Sequence, residues 1–209
     1  MNNFSIEFIE NHFYTLWDFG NKILYSLCSD NPFHSDDSII IAKVLFIGRI
    51  YAAAVERRRK GNGELVSGDN FYTETIVNTF RNSDFDDYIR KLQVSDENSI
   101  SLHLEVHKKL VDMLVSITGL EKRSFASKYL HFHFENKFFI YDSRAVASIK
   151  KYVKGVPPKY RQFIDHQNTD VEYAKFFCKC LYLQDEIKSK YTKAPELITP
   201  RHIDNMLLR

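Results

Sequence analysis

The chain has few of the residues that break helices or crosslink a fold. Of its 209 residues, only seven are glycine and five are proline, which favours long helices over many tight hairpins. Its three cysteines, Cys28, Cys178 and Cys180, are too few for a disulfide framework, and their spacing does not suit a zinc site. We therefore predict a protein with reduced cysteines and no metal site.

Long apolar runs and a leader-like segment are also missing. No apolar run approaches the roughly 20 residues that a membrane-spanning helix needs. The first ten residues carry acid rather than base before their apolar residues, unlike a signal peptide. These absences predict a soluble, cytoplasmic protein with no membrane partner. The length and an ordinary composition, 44% hydrophobic and 27% charged, predict a single domain over residues 1–209.

Apolar residues at helical spacing are abundant, and they include many of the 17 Phe and 12 Tyr. This pattern predicts an all-α fold, which we expect to form two helical lobes around a cleft. Predicted helix caps are Ser38, Asp69, Asp84 and Thr199. A short extended segment is expected at 138–141. The predicted helical regions are 4–28, 39–59, 71–80, 85–92, 99–117, 123–134, 143–153, 170–191 and 201–208.

One acidic residue stands at a junction between an apolar run and a helix. Phe138-Phe139-Ile140-Tyr141 leads into Asp142, and the predicted helix follows at once. Such an Asp can be a plain N-cap. It can also be held half-buried, where it stabilises positive charge that develops on a bound substrate. Residues 143–164 contain no acid and six basic residues, and this basic segment begins directly after Asp142.

Residues 119–146 resemble the core motif of the helix-hairpin-helix DNA glycosylase superfamily, and most closely its 8-oxoguanine DNA glycosylase branch. The resemblance rests on Gly119, on Ala126 to Leu130 and on Ile140 to Arg144. It implies a helix-hairpin-helix fold, with the motif and the catalytic Asp turn at about 118–146. It also implies cleavage of the N-glycosidic bond of a flipped base without a cofactor. Asp142 would then stabilise an oxocarbenium-like state or activate water.

The same resemblance implies that a monomer binds duplex DNA containing a damaged or modified base. The hairpin and the basic segment would contact the phosphates. The expected DNA-binding residues are Gly119, Lys122, Arg123, Ser124, Arg144, Lys150 and Lys151.

The chain departs from the family pattern at two places. The hairpin has one glycine, Gly119, where two are usual. Ser124 occupies the position at which bifunctional members carry a catalytic lysine. This favours a monofunctional enzyme that uses water. Lys128 lies one helical turn beyond Ser124 on the same face, so it could instead replace the missing nucleophile.

Two further groups are candidates for a base pocket. The first group, Arg49, Tyr51 and Glu56, flanks the small residues 52–54 of the second predicted helix. Arg49 and Glu56 are seven residues apart and would share a helix face. A structural Arg–Glu pair is the alternative. The second group consists of Tyr129, His131 and Tyr141. For both tyrosines, a place in the core is the alternative. On a helix, His131 and His133 diverge, and we expect one in the core and one exposed.

Two other functions stay open. Arg161 and His166 resemble the R-x4-H signature of HEPN ribonuclease toxins, although Gln162 departs from the usual second residue. A non-catalytic helical DNA-binding module, with Asp142 as a cap only, is also compatible with the pattern. Within the glycosylase prediction, the sequence leaves open which base is removed. It equally leaves open whether the role is repair or defence against phage with modified DNA.

Overall fold

The computed structural model describes residues 4–56, 70–165 and 167–209. Throughout these ranges the regular elements are helical and no strand occurs, which confirms the all-α prediction. The α-helices are α1 (Ile6–Glu10), α2 (Asp18–Asp30), α3 (Asp37–Leu45), α4 (Val77–Arg81), α5 (Phe85–Val94), α6 (Ile100–Thr118), α7 (Arg123–His133), α8 (Ser143–Tyr152), α9 (Val171–Lys190) and α10 (Pro200–Leu208). The π-helical turns are Phe46–Ile50 and Phe71–Ile76, and the 3₁₀ turns are Pro158–Phe163 and Pro195–Leu197.

The C-terminal half agrees closely with the predicted helices. Helix α6 ends at Gly119, whose φ of 67° lies in the left-handed region that glycine adopts without steric cost. Asp170 and Thr199 cap α9 and α10 through hydrogen bonds from backbone amides. Pro200 follows Thr199 in the first turn, where its missing amide hydrogen costs nothing. Caps and breakers therefore predicted these boundaries to within a residue or two.

The predicted first helix is wrong as a single element. Residues 11–17 separate α1 from α2, and the Asp18 side chain accepts hydrogen bonds from the backbone amide and the hydroxyl of Thr15. That local bonding competes with helix continuation.

The second predicted helix is wrong at both ends. Asp36, not Ser38, caps α3, since its Oδ1 accepts from the Ile39 amide at 3.1 Å. The helical path stops at Ile50 rather than near residue 59, because Ala52 has φ 51°.

Two other predicted caps have different outcomes. Asp84 precedes α5 but makes no side-chain cap bond. It pairs instead with Lys109 at 2.7 Å. Asp69 lies outside the described residues.

The buried apolar side chains form two clusters. The first contains side chains of α2 to α7 together with Phe138. The second contains side chains of α8 to α10, with Ile9 of α1 and with Phe139. The neighbours Phe138 and Phe139 thus belong to different clusters, so the extended segment 138–141 crosses from one to the other. Because Phe138 packs in one cluster and Phe139 in the other, the packing fixes the position of Asp142 at the end of this segment.

Side chains satisfy the backbone of segment 138–141, which has no sheet partner. His131 Nδ1 donates to the Phe138 carbonyl at 2.8 Å. The Tyr173 hydroxyl donates to the Phe139 carbonyl at 3.0 Å. The Tyr141 amide donates to Ser127 Oγ at 2.9 Å. Buried backbone polar groups need such partners. These three bonds therefore hold the segment and fix the start of α8.

Among the described helices, none combines the length and the apolar character that crossing a membrane would require.

Candidate active site

A cavity of about 270 Å³ brings together residues that are far apart in the sequence. Helices α7, α8 and α10 contribute to its walls, together with the start of α2 and the chain after α3. Its apolar lining comes from Trp17, Ile50, Ala52, Ile140 and Leu208, and its polar lining comes from Tyr51, Lys128, Asp142, Arg144, Arg201 and Asp204. Both predicted catalytic residues, Asp142 and Lys128, therefore face one space.

Asp142 has a structural role as well as a place in this cavity. Its Oδ1 accepts a hydrogen bond of 2.8 Å from the Arg144 amide and so caps α8. Its side chain is 26% exposed, and the Arg144 guanidinium Nε lies 3.7 Å from Oδ1. The other oxygen, Oδ2, lies 3.9 Å from Lys128 Nζ. Capping and contact with a ligand are compatible here, because each uses a different oxygen.

Lys128 is buried, with only 6% of the residue exposed. Its Nζ donates to the Tyr51 carbonyl at 3.0 Å and to Ser124 Oγ at 3.1 Å. Burial lowers the pKa of this amine, and the negative charges of Asp142 and Asp204 partly oppose that effect. An amine held in this way is a positive charge beside Asp142, and a lowered pKa makes its neutral, nucleophilic form more accessible.

The Tyr51 carbonyl faces Lys128 at the point where the chain leaves its helical path. Ala52, the next residue, has φ 51°, a left-handed conformation that is unfavourable for a residue with a side chain. The Tyr51 hydroxyl donates to Asn21 Oδ1 at 2.5 Å. Both ends of Tyr51 are thus fixed, and strained backbone of this kind is concentrated at functional sites.

The sequence reasoning missed Arg201 and Asp204, which also line the cavity. They lie three residues apart on α10, and Arg201 Nη1 contacts Asp204 Oδ2 at 2.5 Å. Asp204 is 3% exposed, and its burial is the main cause that raises its pKa to about 6. The available signal was an acid beside the apolar residues of the stretch 203–208, because carboxylates are almost never fully buried unless they are paired.

The predicted base-pocket residues are spread over different surroundings. Tyr51 lines the cavity. Arg49 and Glu56 form an ion pair of 3.0 Å, and Glu56 also accepts from the Tyr72 hydroxyl at 2.8 Å. Neither contributes to the cavity lining. They also share no helix face, since the helical path has ended before Glu56.

The aromatic candidates of α7 and segment 138–141 pack into the core. Tyr129 is fully buried, and its hydroxyl shares a hydrogen bond of 2.6 Å with His34 Nε2. His131 is fully buried between Tyr25 and the Phe138 carbonyl. Tyr141 packs edge-on against Phe176. None of the three is among the side chains that line the cavity.

His133 is not the exposed partner that the sequence predicted. Its Nδ1 donates to the Tyr129 carbonyl at 2.8 Å, and its ring stacks on that of Tyr129 at 4.5 Å. The i, i+4 spacing brings the two rings together.

The predicted DNA-binding residues differ in how available they are. Arg144 is 72% exposed at the cavity, and Lys150 and Lys151 are exposed near the end of α8. Lys122 donates to the Ala54 carbonyl at 3.0 Å. Ser124 is bound to Lys128, as described above.

Arg123 lies at a second cavity of about 340 Å³, which Lys128 does not line. It pairs with Asp170 and Glu121, each at 2.7 Å. Its charge is therefore already compensated within the protein. The cavity lining holds four acidic side chains and two basic ones, which disfavours binding of an anion.

Arg161, the first residue of the ribonuclease-like pair, does not line the main cavity. Arg161 sits in a 3₁₀ turn, where its Nε donates to the Val156 carbonyl at 3.3 Å. His166 lies outside the described residues. Within 4–56, 70–165 and 167–209, no group of three or more His, Cys, Asp or Glu side chains is arranged to hold a metal ion.

The main cavity can therefore stabilise a cation with Asp142, hold or release a proton at Asp204, and offer an amine at Lys128.

No protein-family model, curated protein or solved structure shows a significant match to this chain.

Proposed function

We propose that the chain is a DNA glycosylase that removes a damaged or modified base flipped out of duplex DNA, in repair or in defence against phage with modified DNA. In this proposal it is a soluble, cytoplasmic monomer, with a helix-hairpin-helix fold whose two lobes enclose the main cavity. The supporting observation is the approach of Asp142 Oδ2 to within 3.9 Å of Lys128 Nζ in a cavity with apolar walls.

The chemistry of Asp142 suits cleavage of a glycosidic bond. Breaking the bond leaves positive charge near C1′ of the sugar, and a fixed carboxylate stabilises that charge. Asp142 is held by the cap bond from the Arg144 amide, so it need not reorganise as the charge develops. The same carboxylate can accept a proton from the attacking water.

The size and lining of the cavity suit a single base. Its volume of about 270 Å³ is just below the range of roughly 300–1,000 Å³ that is usual for small-molecule sites. The indole of Trp17 is largely exposed at the cavity, and Ile50 and Leu208 supply further apolar surface. A flat aromatic side chain beside polar groups is what a flipped base requires.

The exposed cations beside the cavity would hold the DNA backbone. Arg144 adjoins Asp142, and Lys150 and Lys151 continue along α8. Phosphate contacts of this kind position the duplex without selecting its sequence. The turn that contains Gly119 lies at the start of α7, the helix that carries Lys128.

We favour hydrolysis over lyase chemistry, because Lys128 Nζ is engaged by the Tyr51 carbonyl and Ser124 Oγ. One observation favours the second candidate, a bifunctional glycosylase. The Lys128 amine lies beside Asp142 with a pKa lowered by burial, as an attacking lysine needs. Trapping with borohydride separates the two. A covalent protein–DNA adduct that Lys128→Gln abolishes would establish the lyase, and its absence supports attack by water.

The test of the function uses duplex oligonucleotides that contain 8-oxoguanine, uracil, hypoxanthine or N7-methylguanine, and genomic DNA of phages with modified bases. Wild type should produce abasic sites on at least one of these. Asp142→Asn should lower the single-turnover rate roughly 100- to 1,000-fold. Asp112→Asn is the matched control, since Asp112 forms an exposed i, i+4 pair with Lys108.

Three outcomes would contradict the proposal or part of it. Equal rates for wild type and Asp142→Asn would remove Asp142 from the mechanism. Absence of product on every DNA would overturn the glycosylase function. Cleavage of RNA that His166→Ala abolishes would establish the ribonuclease alternative.

A further inference from the structure

A second carboxylate lies in the main cavity, and the mechanism given above does not use it. Asp204 is 3% exposed and lines the cavity together with Asp142. Its Oδ2 contacts Arg201 Nη1, whereas its buried Oδ1 has no hydrogen-bond partner among the described residues. Buried polar atoms without a partner are rare in folded proteins. A ligand in the cavity could therefore use the hydrogen-bonding capacity of this oxygen.

Several charged or titratable groups act on Asp204. Arg201 is on its own helix, and the others come from the elements packed around it. They are Lys128 of α7, Asp142 and Arg144 at the start of α8, Cys180 of α9 and Tyr25 of α2. Arg201, Lys128 and Arg144 favour the ionised form of Asp204, and Asp142 opposes it.

Burial outweighs the cations, so the pKa of Asp204 rises to about 6. Asp204 therefore keeps its proton at a higher pH than an ordinary aspartate does. A protonated carboxyl has one O–H that it can donate. A carboxyl whose pKa is shifted towards the working pH is suited to general acid catalysis.

We propose that Asp204 is the general acid that protonates the leaving base. The inference rests on the proposed glycosylase function and adds a catalytic residue to it. The bond between C1′ and the base nitrogen breaks, and its electron pair goes to the base. The Asp204 proton moves to that base, which leaves as a neutral molecule. Water then adds its oxygen to C1′ and gives its proton to Asp142. Asp142 releases that proton to solvent, and solvent returns a proton to Asp204.

The other groups in the cavity are less suited to this step. The Arg201 and Arg144 guanidinium groups do not release protons near neutral pH. Both Asp142 oxygens already face donors, the Arg144 amide and the Lys128 amine. Lys128 Nζ donates to two oxygens of the protein. Two carboxylates in different environments are a recurring basis for the division between acid and base.

The experiment measures single-turnover rates against pH for wild type, Asp204→Asn and Asp204→Glu on an oligonucleotide that wild type cleaves. Wild type should lose activity as the pH rises above about 6, because the acid is then ionised. Asp204→Asn should be slower by roughly 100- to 10,000-fold, and this alkaline decline should disappear. Asp204→Glu keeps the carboxyl and should restore the decline with a lower rate. Asp112→Asn should match wild type.

A purely structural Asp204 gives different results. In that case Asp204→Asn loses activity but keeps the wild-type pH profile, which overturns the proposal. An unchanged rate for Asp204→Asn overturns it as well. Thermal unfolding and circular dichroism establish that the variants are folded, and Asp204→Glu supplies the test if the Asn variant is not. Failure of wild type on every oligonucleotide overturns the proposed function itself, a result distinct from either of these.

Discussion

Ser127 Oγ accepts a hydrogen bond of 2.9 Å from the backbone amide of Tyr141, the residue that precedes Asp142. The same hydroxyl donates to the Ser124 carbonyl at 3.1 Å. Ser127 is fully buried in α7. It therefore connects the helix that carries Lys128 to the segment that ends at Asp142, and so fixes the two predicted catalytic residues relative to each other.

The first prediction is that Ser127→Ala damages activity more than it damages the fold. The substitution leaves the Tyr141 amide without its acceptor, which should lower the free energy of unfolding by about 1–3 kcal/mol. The turnover rate should fall at least tenfold with little change in KM, because Asp142 is misplaced and not removed. Denaturant unfolding and steady-state kinetics measure both effects.

Ser116→Ala is the matched control, since Ser116 Oγ donates to the Met113 carbonyl within the exposed face of α6. It should change neither quantity. A Ser127→Ala variant with wild-type turnover would show that the bond is not needed to position Asp142.

The structure confirms the position of Asp142 at the start of a helix, but the sequence did not predict all of its neighbours in the cavity. Caps and breakers act over a few residues, so Gly119, Asp142 and Thr199 predicted helix boundaries that the structure confirms. The neighbours in the cavity could not be predicted in this way. Asp204 and Trp17 reach Asp142 only through packing between elements that are far apart in the sequence.

The errors in the N-terminal half have a related cause. The helical pattern continued through Tyr51, but the chain turns at Ala52 with φ 51°, a conformation that helical periodicity does not indicate. Tertiary contacts compensate for its cost, among them the bond from Lys128 Nζ to the Tyr51 carbonyl. Sequence patterns therefore fail where the site itself requires an irregular backbone.

The second prediction concerns Trp17, whose exposed indole lines the cavity. Trp17→Ala should raise KM roughly 10- to 100-fold, since stacking between a base and an aromatic ring contributes about 1–3 kcal/mol. Trp17→Phe should recover part of the loss. Phe19, two residues later, is also largely exposed but does not line the cavity, so Phe19→Ala is the control. Equal effects of Trp17→Ala and Phe19→Ala would argue against stacking in the cavity.

The third prediction concerns the cations of α8. Lys150→Ala with Lys151→Ala should weaken binding to duplex DNA regardless of sequence. The slope of log K against log salt should become less negative by about 1 for each phosphate contact that is lost. Fluorescence anisotropy over a range of salt concentrations measures the slope. Lys108→Ala, which removes a lysine paired with Asp112 on α6, should leave it unchanged. An unchanged slope for the double variant would place the DNA elsewhere.

The fourth prediction uses His107, whose ring stacks on that of Tyr173 at 3.5 Å. Neither ring nitrogen has a hydrogen-bond partner among the described residues, and burial lowers the pKa of His107 to about 3. Between pH 6.5 and 3 the unfolded chain binds a proton that the folded protein does not. His107 therefore reduces stability as the pH falls, by about 1.4 kcal/mol for each pH unit.

His107→Phe keeps an aromatic ring against Tyr173 and removes the titrating group. The variant should lose about 2 kcal/mol less than wild type between pH 6.5 and 4.5. Urea unfolding at the two pH values tests this difference. Parallel losses in the two proteins would mean that His107 is protonated in the folded state.

The fifth prediction applies the same linkage to Asp204, with the opposite sign. Its folded pKa of about 6 lies above the ordinary value of 3.8. Between these values the folded protein therefore binds more protons than the unfolded chain, and stability falls as the pH rises. Above pH 6 the ionised Asp204 lowers stability by about 3 kcal/mol relative to its protonated form.

Asp204→Asn imitates the protonated carboxyl at every pH. The free energy of unfolding of Asp204→Asn minus that of wild type should be about 2 kcal/mol larger at pH 7 than at pH 4. Chemical denaturation at both pH values gives the difference, and Asp112→Asn should show none. A constant difference between Asp204→Asn and wild type would mean that Asp204 has an ordinary pKa. Asp204 would then lower the stability of the fold while it is ionised, and its replacement would lower the activity. The trade-off between stability and activity predicts this combination for a catalytic acid.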